Sequence, residues 1–454
     1  MPSPSDQGSE AAAPVIPHKE PAGGTDSLEA AIENEPNRFK RALKILGPGL
    51  VTGASDDDPS GIGTYVSAGA SLGFITLWMA VFIFPFMAAV QYICAKIGMV
   101  SGKGVAGVLR ENYSRKILFP VIFFLVIANV VNAGVDIGAI AAAINLIVPL
   151  PATLLIIPIT LAILALQIWG SYKLIANTFK WLTLALFAYI GAAFFAKPDW
   201  SEVLRNTFIP TIRLDNAFLA TFVAILGTSI SPYLFFWQAS QEVEEEVSMG
   251  RKNLWQRKGA TDKELKYAFW DVNVGMLLSN LVMYFIILTT AATLFKSGKT
   301  DVQSATDAAE ALRPLAGDAA KYLLAIGLIG AGVLAVPVLT GSAAYAVSEA
   351  FGWKYGLDEK PYRAKQFYAV IVAATVIGML INFLGINPIT ALFWTAVLNG
   401  LLAPPLLVVI MLVANNKKVM GERVNGRTTN ILGWLTALIM TVAAVALIIT
   451  FKTG

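Results

Sequence analysis

Residues 52–64 read TGASDDDPSGIGT, so that Asp56, Asp57, Asp58 and Pro59 interrupt a segment that is apolar on both sides. A long apolar segment predicts a membrane helix, and a carboxylate at membrane depth is costly. Non-helical backbone is tolerated at that depth only where it packs against protein or lines a water-filled cavity. The stretch therefore predicts a cation site in a transporter, built on a discontinuous transmembrane helix.

The composition of the whole chain is that of a helical membrane protein. Of its 454 residues, 56% are hydrophobic and 14% are charged, whereas a soluble domain carries about 25% charged residues. The net charge of +4 does not indicate nucleic-acid binding. A single cysteine, Cys94, excludes an internal disulfide. The single histidine, His18, lies in the N-terminal tail, so no histidine can relay protons or bind metal inside the membrane.

Eleven apolar stretches of membrane-spanning length predict an all-α membrane protein with eleven transmembrane helices. The predicted spans 1 to 11 cover residues 43–72, 74–99, 117–148, 152–169, 172–196, 216–240, 267–295, 319–351, 366–384, 388–414 and 430–451. Residues 1–37 are rich in Ala, Pro, Glu, Ser and Gly, and they predict a disordered cytosolic tail without a signal peptide.

Basic residues occur in alternate loops and predict the orientation. Lys and Arg cluster within residues 38–44, 103–116, 251–266, 354–365 and 417–427. The loops at residues 148–151 and 385–387 carry none. The positive-inside rule then places the N-terminus in the cytosol and the C-terminus outside, in a plasma membrane such as the bacterial inner membrane.

Predicted span 6 is interrupted as well, because residues 227–233 read GTSISPY and contain Pro232. Proline removes a backbone donor and leaves carbonyls unpaired one turn earlier. Spans 1 and 6 are the first members of two five-helix halves, residues 43–197 and 216–414. Two interrupted helices at matching positions of inverted halves predict a binding site at the membrane midplane. Residues 430–451 then form an additional helix outside the repeat.

These two motifs resemble those of the Nramp (natural resistance-associated macrophage protein) family of divalent-metal transporters, and the similarity covers the membrane part of the chain. The resemblance implies the five-plus-five inverted repeat of the amino-acid transporter LeuT. The family's Asp-Pro-Gly-Asn motif reads Asp-Pro-Ser-Gly here, and its Met-Pro-His motif reads Ser-Pro-Tyr. The resemblance assigns Asp58 as a metal ligand and Thr228 as a carbonyl ligand. It places Gly61 and Ser231 where the family has asparagine and methionine ligands, and Tyr233 where it has a histidine linked to proton transport.

The resemblance extends to two further spans. In span 3 the family has two acids three residues apart, where this chain has Ala133 and Asp136. In span 10 Ala396 falls at the family's glutamine, and Asn399 lies one turn on. The pattern is similar to the Nramp-related magnesium transporter branch. That similarity implies transport of Mg²⁺ as well as Mn²⁺, a roomier site that keeps part of the hydration shell, and no proton coupling.

The residue chemistry leads to the same hypothesis. Thioethers select transition metals, whereas oxygen ligands suit Mg²⁺, Ca²⁺ and Mn²⁺. The inferred site offers the Asp58 carboxylate, the Thr228 and Ser231 hydroxyls and free carbonyls, without sulfur or imidazole. Mg²⁺ keeps several waters, which suits a wide cavity lined by oxygen. Asp56 and Asp57 are further candidates for a direct or water-mediated ligand, with cavity lining or capping as the alternative.

Other polar residues have two interpretations each. Asp136 lines a polar pathway or pairs with Lys173 or Lys180 of span 5. Asp271 and its neighbours in span 7 serve gating or packing. The acidic run at residues 241–246, QEVEEE, is interpreted as a solvated cytosolic end of span 6. Tyr233 and Asn399 complete the predicted pathway.

The sequence thus predicts a secondary transporter for uptake of Mg²⁺ and Mn²⁺ by alternating access, with the lipid bilayer and divalent ions as partners, and with no cofactor and no enzymatic activity. A proton-coupled Mn²⁺/Fe²⁺ symporter is the alternative, although it would prefer methionine and histidine in span 6. A Na⁺-coupled amino-acid carrier is disfavoured because three aspartates would repel a substrate carboxylate. An intramembrane aspartyl protease using Asp58 and Asp136 lacks a second motif.

Overall fold

A computed structural model describes residues 46–170 and 184–453 of the chain. Within these two ranges every regular element is helical, and nine helices are long and apolar enough to cross a membrane. The predicted disordered tail at residues 1–37 lies outside the described residues. The all-α membrane class is therefore confirmed, while the count of eleven helices stays a prediction.

We number the α-helices in chain order. The helices α1 to α10 are Pro48–Asp56, Pro59–Leu72, Trp78–Ser101, Val105–Asn112, Arg115–Ile147, Ala152–Trp169, Ala188–Phe195, Trp200–Phe208, Asn216–Ser229 and Pro232–Ser248. The helices α11 to α19 are Leu254–Arg257, Asp262–Thr290, Ala305–Glu310, Arg313–Ala316, Ala320–Phe351, Lys365–Ile381, Pro388–Ala414, Lys417–Met420 and Arg427–Thr453. A π-helical turn, Ala291–Phe295, continues α12.

Both predicted helix breaks are present. Span 1 divides into α1 and α2, and span 6 divides into α9 and α10. Each second half begins with a proline at its first position, Pro59 in α2 and Pro232 in α10. Proline restricts the preceding residue to extended backbone and lacks an N–H, so it ends one helix and begins the next. Residues 172–183, about half of predicted span 5, lie outside the described residues.

Glycine contacts bring the first broken helix onto α12. A Cβ built on Gly49 would lie 2.6 Å from the Val272 backbone nitrogen, and one on Gly275 would lie 3.0 Å from Leu50 Cα. Small residues let helix backbones approach closely inside a membrane. The α1–α12 crossing therefore depends on glycine at both positions.

The interpretation of residues 241–246 as a solvated helix end is wrong in part. They belong to α10, which continues to Ser248, and Glu242 and Glu246 are each only 4% exposed. Gln238 donates a hydrogen bond to Glu242 at 2.8 Å, and Arg251 donates one to Glu246 at 3.1 Å. Buried carboxylates need such partners, and the partners come from tertiary packing that a run of acids does not reveal.

Candidate metal centre

Asp58 lies in the first helix break and is buried. It caps the N-terminus of α2 with extended backbone, at φ −68° and ψ 165°. Its Oδ1 accepts hydrogen bonds from the Gly61 amide at 2.7 Å and the Ser60 hydroxyl at 2.8 Å. The Asn132 amide of α5 donates to its other oxygen, Oδ2, at 2.8 Å. These donors hold one carboxylate in a fixed orientation at the N-terminal end of a helix.

The second break lies at Ile230 and Ser231, between α9 and α10. The Ser231 hydroxyl donates either to the Thr228 carbonyl, at 2.5 Å, or to the Gly227 carbonyl, at 3.0 Å. Because a hydroxyl has one proton and two lone pairs, the Ser231 oxygen keeps acceptor capacity after this bond. The break therefore presents hydroxyl and carbonyl oxygens within one turn of helix.

The two breaks meet at Gly61. A Cβ built on Gly61 would lie 2.9 Å from Thr228 Oγ1 and 3.3 Å from both the Asp56 carbonyl oxygen and Asp58 Oδ1. The Tyr233 hydroxyl of α10 also donates to the Ser55 carbonyl in the last turn of α1, at 2.8 Å. Asp58, Thr228 and the Asp56 carbonyl thus surround Gly61 so closely that a larger residue at position 61 would displace at least one of these groups.

The three adjacent acids do not converge. Asp56 and Asp57 turn toward α12, where the Ser279 hydroxyl lies 2.6 Å from Asp56 Oδ2 and 3.1 Å from Asp57 Oδ1. Asp58 turns instead toward α5 through Asn132. Among the described residues, no group of three acidic, histidine or cysteine side chains is close enough to hold a metal ion. A role of Asp56 and Asp57 as ligands therefore stays a prediction.

Two partners of the acids, Asn132 and Ser279, were missed by reasoning from the sequence. Asn132 had a usable signal, because Asn129, Asn132 and Asp136 recur at helical spacing inside an apolar span, and buried polar residues in a membrane mark functional sites. Ser279 had none, since a lone serine in a membrane helix ordinarily bonds its own preceding turn.

The predicted pathway residues occupy different surroundings. Asp136 is fully buried in α5, and neither carboxylate oxygen has a hydrogen-bond partner among the described residues. Its alternative partners, Lys173 and Lys180, lie outside those residues. Asn399 is buried in α17, and its Nδ2 has no partner in the part of the chain that the structure describes. One turn earlier, the Ala396 carbonyl of the same helix lies against Gly227 of α9.

Asp271 of α12 binds the N-terminus of α1. Its carboxylate accepts hydrogen bonds from the backbone amides of Gly47, Gly49 and Leu50, at 2.9, 2.6 and 3.0 Å. The first amides of a helix have no partner within the helix, so this carboxylate supplies what a capping side chain would. Asp271 and Ser279 therefore attach the two ends of α1 to one helix.

We expect Asp271→Ala to lower the free energy of unfolding by about 3 kcal/mol, because one buried and two partly buried amides lose a carboxylate acceptor. Thermal and denaturant unfolding of the purified protein in detergent measures the change. Asn273→Ala is the matched control, since the Asn273 side chain bonds only the Phe269 carbonyl of its own helix, at 2.7 Å. Equal unfolding midpoints for the two variants would contradict the capping role.

The sequence is similar to one protein family and to named proteins over most of its length. The family described as "Natural resistance-associated macrophage protein-like" matches residues 49–450. The "Divalent metal cation transporter MntH" of Bacillus subtilis is 26% identical over 439 residues, covering 94% of this chain and 97% of that protein. The Klebsiella pneumoniae protein of the same name is 27% identical over 422 residues, covering 90% and 95%.

Solved structures show the same architecture. The Eremococcus coleocola manganese transporter superposes with a TM-score of 0.72 at 18% identity, covering 90% of this chain and 87% of that one. The inward-facing conformation of Mhp1 gives a TM-score of 0.52 at 13% identity, covering 89% and 90%. At these identities the likeness concerns the fold alone.

Proposed function

This chain belongs to the Nramp family, and from that premise we propose that it carries Mg²⁺, and Mn²⁺ as well, into the cell by alternating access without proton coupling. The broader activity, transport of divalent metal cations, follows from the family and its named relatives. Those relatives are membrane transporters and not enzymes. Mg²⁺ as cargo and the absence of proton coupling are the parts of the proposal that need testing.

The observation that carries the proposal is the set of oxygens around Gly61. The atoms that a Cβ on Gly61 would meet are Thr228 Oγ1, the Asp56 carbonyl oxygen and Asp58 Oδ1, all of them hard ligands. Hard oxygen ligands suit Mg²⁺ and Mn²⁺. A Cβ at position 61 would lie only 2.9 Å from Thr228 Oγ1, so the absence of a side chain there lets oxygens of the two breaks approach each other. In this proposal Asp58, Thr228 and Ser231 bind the ion, and Asp56 and Asp57 lie beside it.

The membrane potential alone is sufficient to drive such uptake. Moving one charge through 100 mV is worth about 2.3 kcal/mol, so a divalent ion gains about 4.6 kcal/mol on entering an inside-negative cell. This corresponds to a concentration ratio on the order of 10³. Position 233, where the family's histidine would be, holds a tyrosine whose hydroxyl is already bonded to the Ser55 carbonyl. An uncoupled mechanism therefore needs no titratable group at that position.

A proton-coupled Mn²⁺ symporter is the second candidate, and the names of the relatives favour it. The similar proteins are called MntH, and one similar structure is of a manganese transporter. The buried Asp136, without a hydrogen-bond partner among the described residues, could carry a proton in such a mechanism. The two candidates differ in their requirement for a proton gradient.

Uptake into proteoliposomes separates them. We expect Mg²⁺ to enter at millimolar concentrations, driven by a K⁺ diffusion potential, with no acidification of an enclosed pH dye. Mn²⁺ uptake in the same vesicles provides the comparison, and protein-free vesicles provide the baseline. A Mg²⁺ flux that stops when the pH gradient is collapsed would contradict the uncoupled mechanism.

We further propose a plasma-membrane location with a cytosolic N-terminus and an external C-terminus, because the basic loops alternate with nearly uncharged ones. The two inverted halves, residues 43–197 and 216–414, then supply one broken helix each. Under this arrangement Asp271 lies near the cytosolic end of α1, because Arg38, Lys40 and Arg41 immediately precede that helix.

A further inference from the structure

Helix α5 carries three buried polar side chains on one face, Asn129, Asn132 and Asp136, which we call the α5 stripe. Positions separated by three, four and seven residues lie above one another on a helix. Asn129 is 1% exposed, and the other two are completely buried. The middle residue, Asn132, is bonded to Asp58. The α5 stripe therefore continues from the metal centre into the protein interior.

Both amide nitrogens of this stripe donate a hydrogen bond to the protein, and the stripe atoms without a partner among the described residues are all oxygens. Asn129 Nδ2 donates to the Leu339 carbonyl at 2.9 Å, and Asn132 Nδ2 donates to Asp58 Oδ2 at 2.8 Å. Both partners only accept, which fixes the orientation of the two amides. The buried atoms of the stripe that lack a partner among the described residues are Asn129 Oδ1, Asn132 Oδ1, Asp136 Oδ1 and Asp136 Oδ2.

One backbone donor approaches the stripe without forming a hydrogen bond to it. The Ser60 amide faces the Asp136 carboxylate but does not reach hydrogen-bonding geometry. Buried acceptors without partners are unfavourable, and native proteins satisfy them with protein, water or ligand. Four buried oxygens without a partner among the described residues indicate an occupant that can donate hydrogen bonds.

Water bound to a divalent cation is such an occupant. Its oxygen lone pair is directed at the metal, so the water can only donate to its surroundings. A Mg²⁺–water distance of about 2.1 Å and a hydrogen bond of about 2.8 Å place suitable acceptors roughly 5 Å from the ion. Asn132 Oδ1 belongs to the same amide group as the nitrogen that donates to Asp58 Oδ2 at 2.8 Å, so this acceptor lies beside the carboxylate that would bind the ion.

We propose that the α5 stripe accepts hydrogen bonds from water retained by the transported cation, and that it thereby favours Mg²⁺ over Mn²⁺. The inference rests on the proposed function and identifies the residues that bind the outer shell of the ion. Mg²⁺ dehydrates reluctantly, so it gains most from acceptors that match its retained water. Asp136, the one carboxyl group of the stripe, supplies two of its four oxygens without a partner among the described residues.

The test compares Asp136→Leu with the native chain in proteoliposomes, using cobalt(III) hexaammine as the probe. This complex resembles a fully hydrated cation, because its ammine ligands donate hydrogen bonds and do not exchange. We expect the complex to inhibit uptake by the native chain competitively.

We expect Asp136→Leu to raise the KM for Mg²⁺ by about 10- to 100-fold, the usual effect of losing an outer-shell partner. The KM for Mn²⁺ should change less than about threefold, and inhibition by the complex should weaken at least tenfold.

Thr375→Val on α16 is the matched control. Its buried hydroxyl bonds only the Ile371 carbonyl of its own helix, at 2.8 Å, and α16 packs against α5. Asp136→Asn keeps the volume and one acceptor, and it replaces the leucine variant if that protein unfolds in a thermal assay. Equal changes for both ions, or unchanged inhibition by the complex, would overturn the proposal and leave the α5 stripe with a structural role.

The proposed role of the α5 stripe and the proposed Mg²⁺ transport can fail independently of each other. A native chain that carries Mn²⁺ but no Mg²⁺ would end the Mg²⁺ assignment. Competition of cobalt(III) hexaammine with Mn²⁺, measured in the native chain and in Asp136→Leu, would then test the role of the α5 stripe alone. Conversely, robust Mg²⁺ uptake with an unchanged KM in Asp136→Leu would overturn only the proposed role of the α5 stripe.

Discussion

Replacing Asp58 with alanine is expected to abolish cation uptake, with a loss of at least about a hundredfold at all Mg²⁺ concentrations tested. Asp58 is the acid that faces the second break, and its Oδ1 lies 3.3 Å from the position of a Cβ on Gly61. Without this carboxylate the hydroxyl and carbonyl oxygens that remain carry no formal charge. Uptake of Mg²⁺ and Mn²⁺ into proteoliposomes measures the loss.

Asp58 also caps α2, so the variant must be separated from a folding defect. Asp58→Asn preserves an N-cap side chain, because asparagine is as good a cap as aspartate, and it should lose transport while remaining folded. Asp215→Ala is the matched control. Asp215 caps α9 at its surface end, where the Phe218 amide bonds it at 3.0 Å and holds its pKa below the usual range. Normal transport by Asp58→Asn would show that a negative charge at position 58 is not needed to bind the ion.

The double variant Gly61→Asn/Ser231→Met is expected to reverse the preference between Mg²⁺ and Mn²⁺. An asparagine at position 61 must enter the space bordered by Thr228 Oγ1, which lies 2.9 Å from the position of its Cβ. A thioether at position 231 adds a soft ligand that favours transition metals. We expect Mg²⁺ uptake to fall at least about tenfold while Mn²⁺ uptake persists. Competition between the two ions in one vesicle preparation measures the ratio.

Gly63→Ala is the control for added volume on the same helix. A Cβ at Gly63 would meet the Leu392 side chain of α17, at 2.9 Å from its Cδ1, and none of the site oxygens lies near it. This variant should keep the native preference. An unchanged Mg²⁺ to Mn²⁺ ratio in the double variant would show that residues other than Gly61 and Ser231 set the selectivity.

The sequence predicted the fold and part of the site because those features are local. Membrane spans follow from the hydropathy of about 20 consecutive residues. Pro59 and Pro232 end helices through their own backbone geometry, and both breaks are present in the structure. The acidic run of α10 shows the limit of such reasoning, since Glu242 is buried by neighbours that its own sequence does not identify.

The sequence by itself therefore determined the two interrupted helices and the oxygen ligands that each of them offers. Tertiary structure alone decided which acid meets which partner: Asp58 meets Asn132 across 74 residues, and Asp56 meets Ser279 across 223. It also decided that Asp271 caps α1 from another helix, 222 residues from Gly49. The physical reason is that a side chain's partner depends on which faces of distant helices pack together, and that choice is made by the shape of the whole bundle.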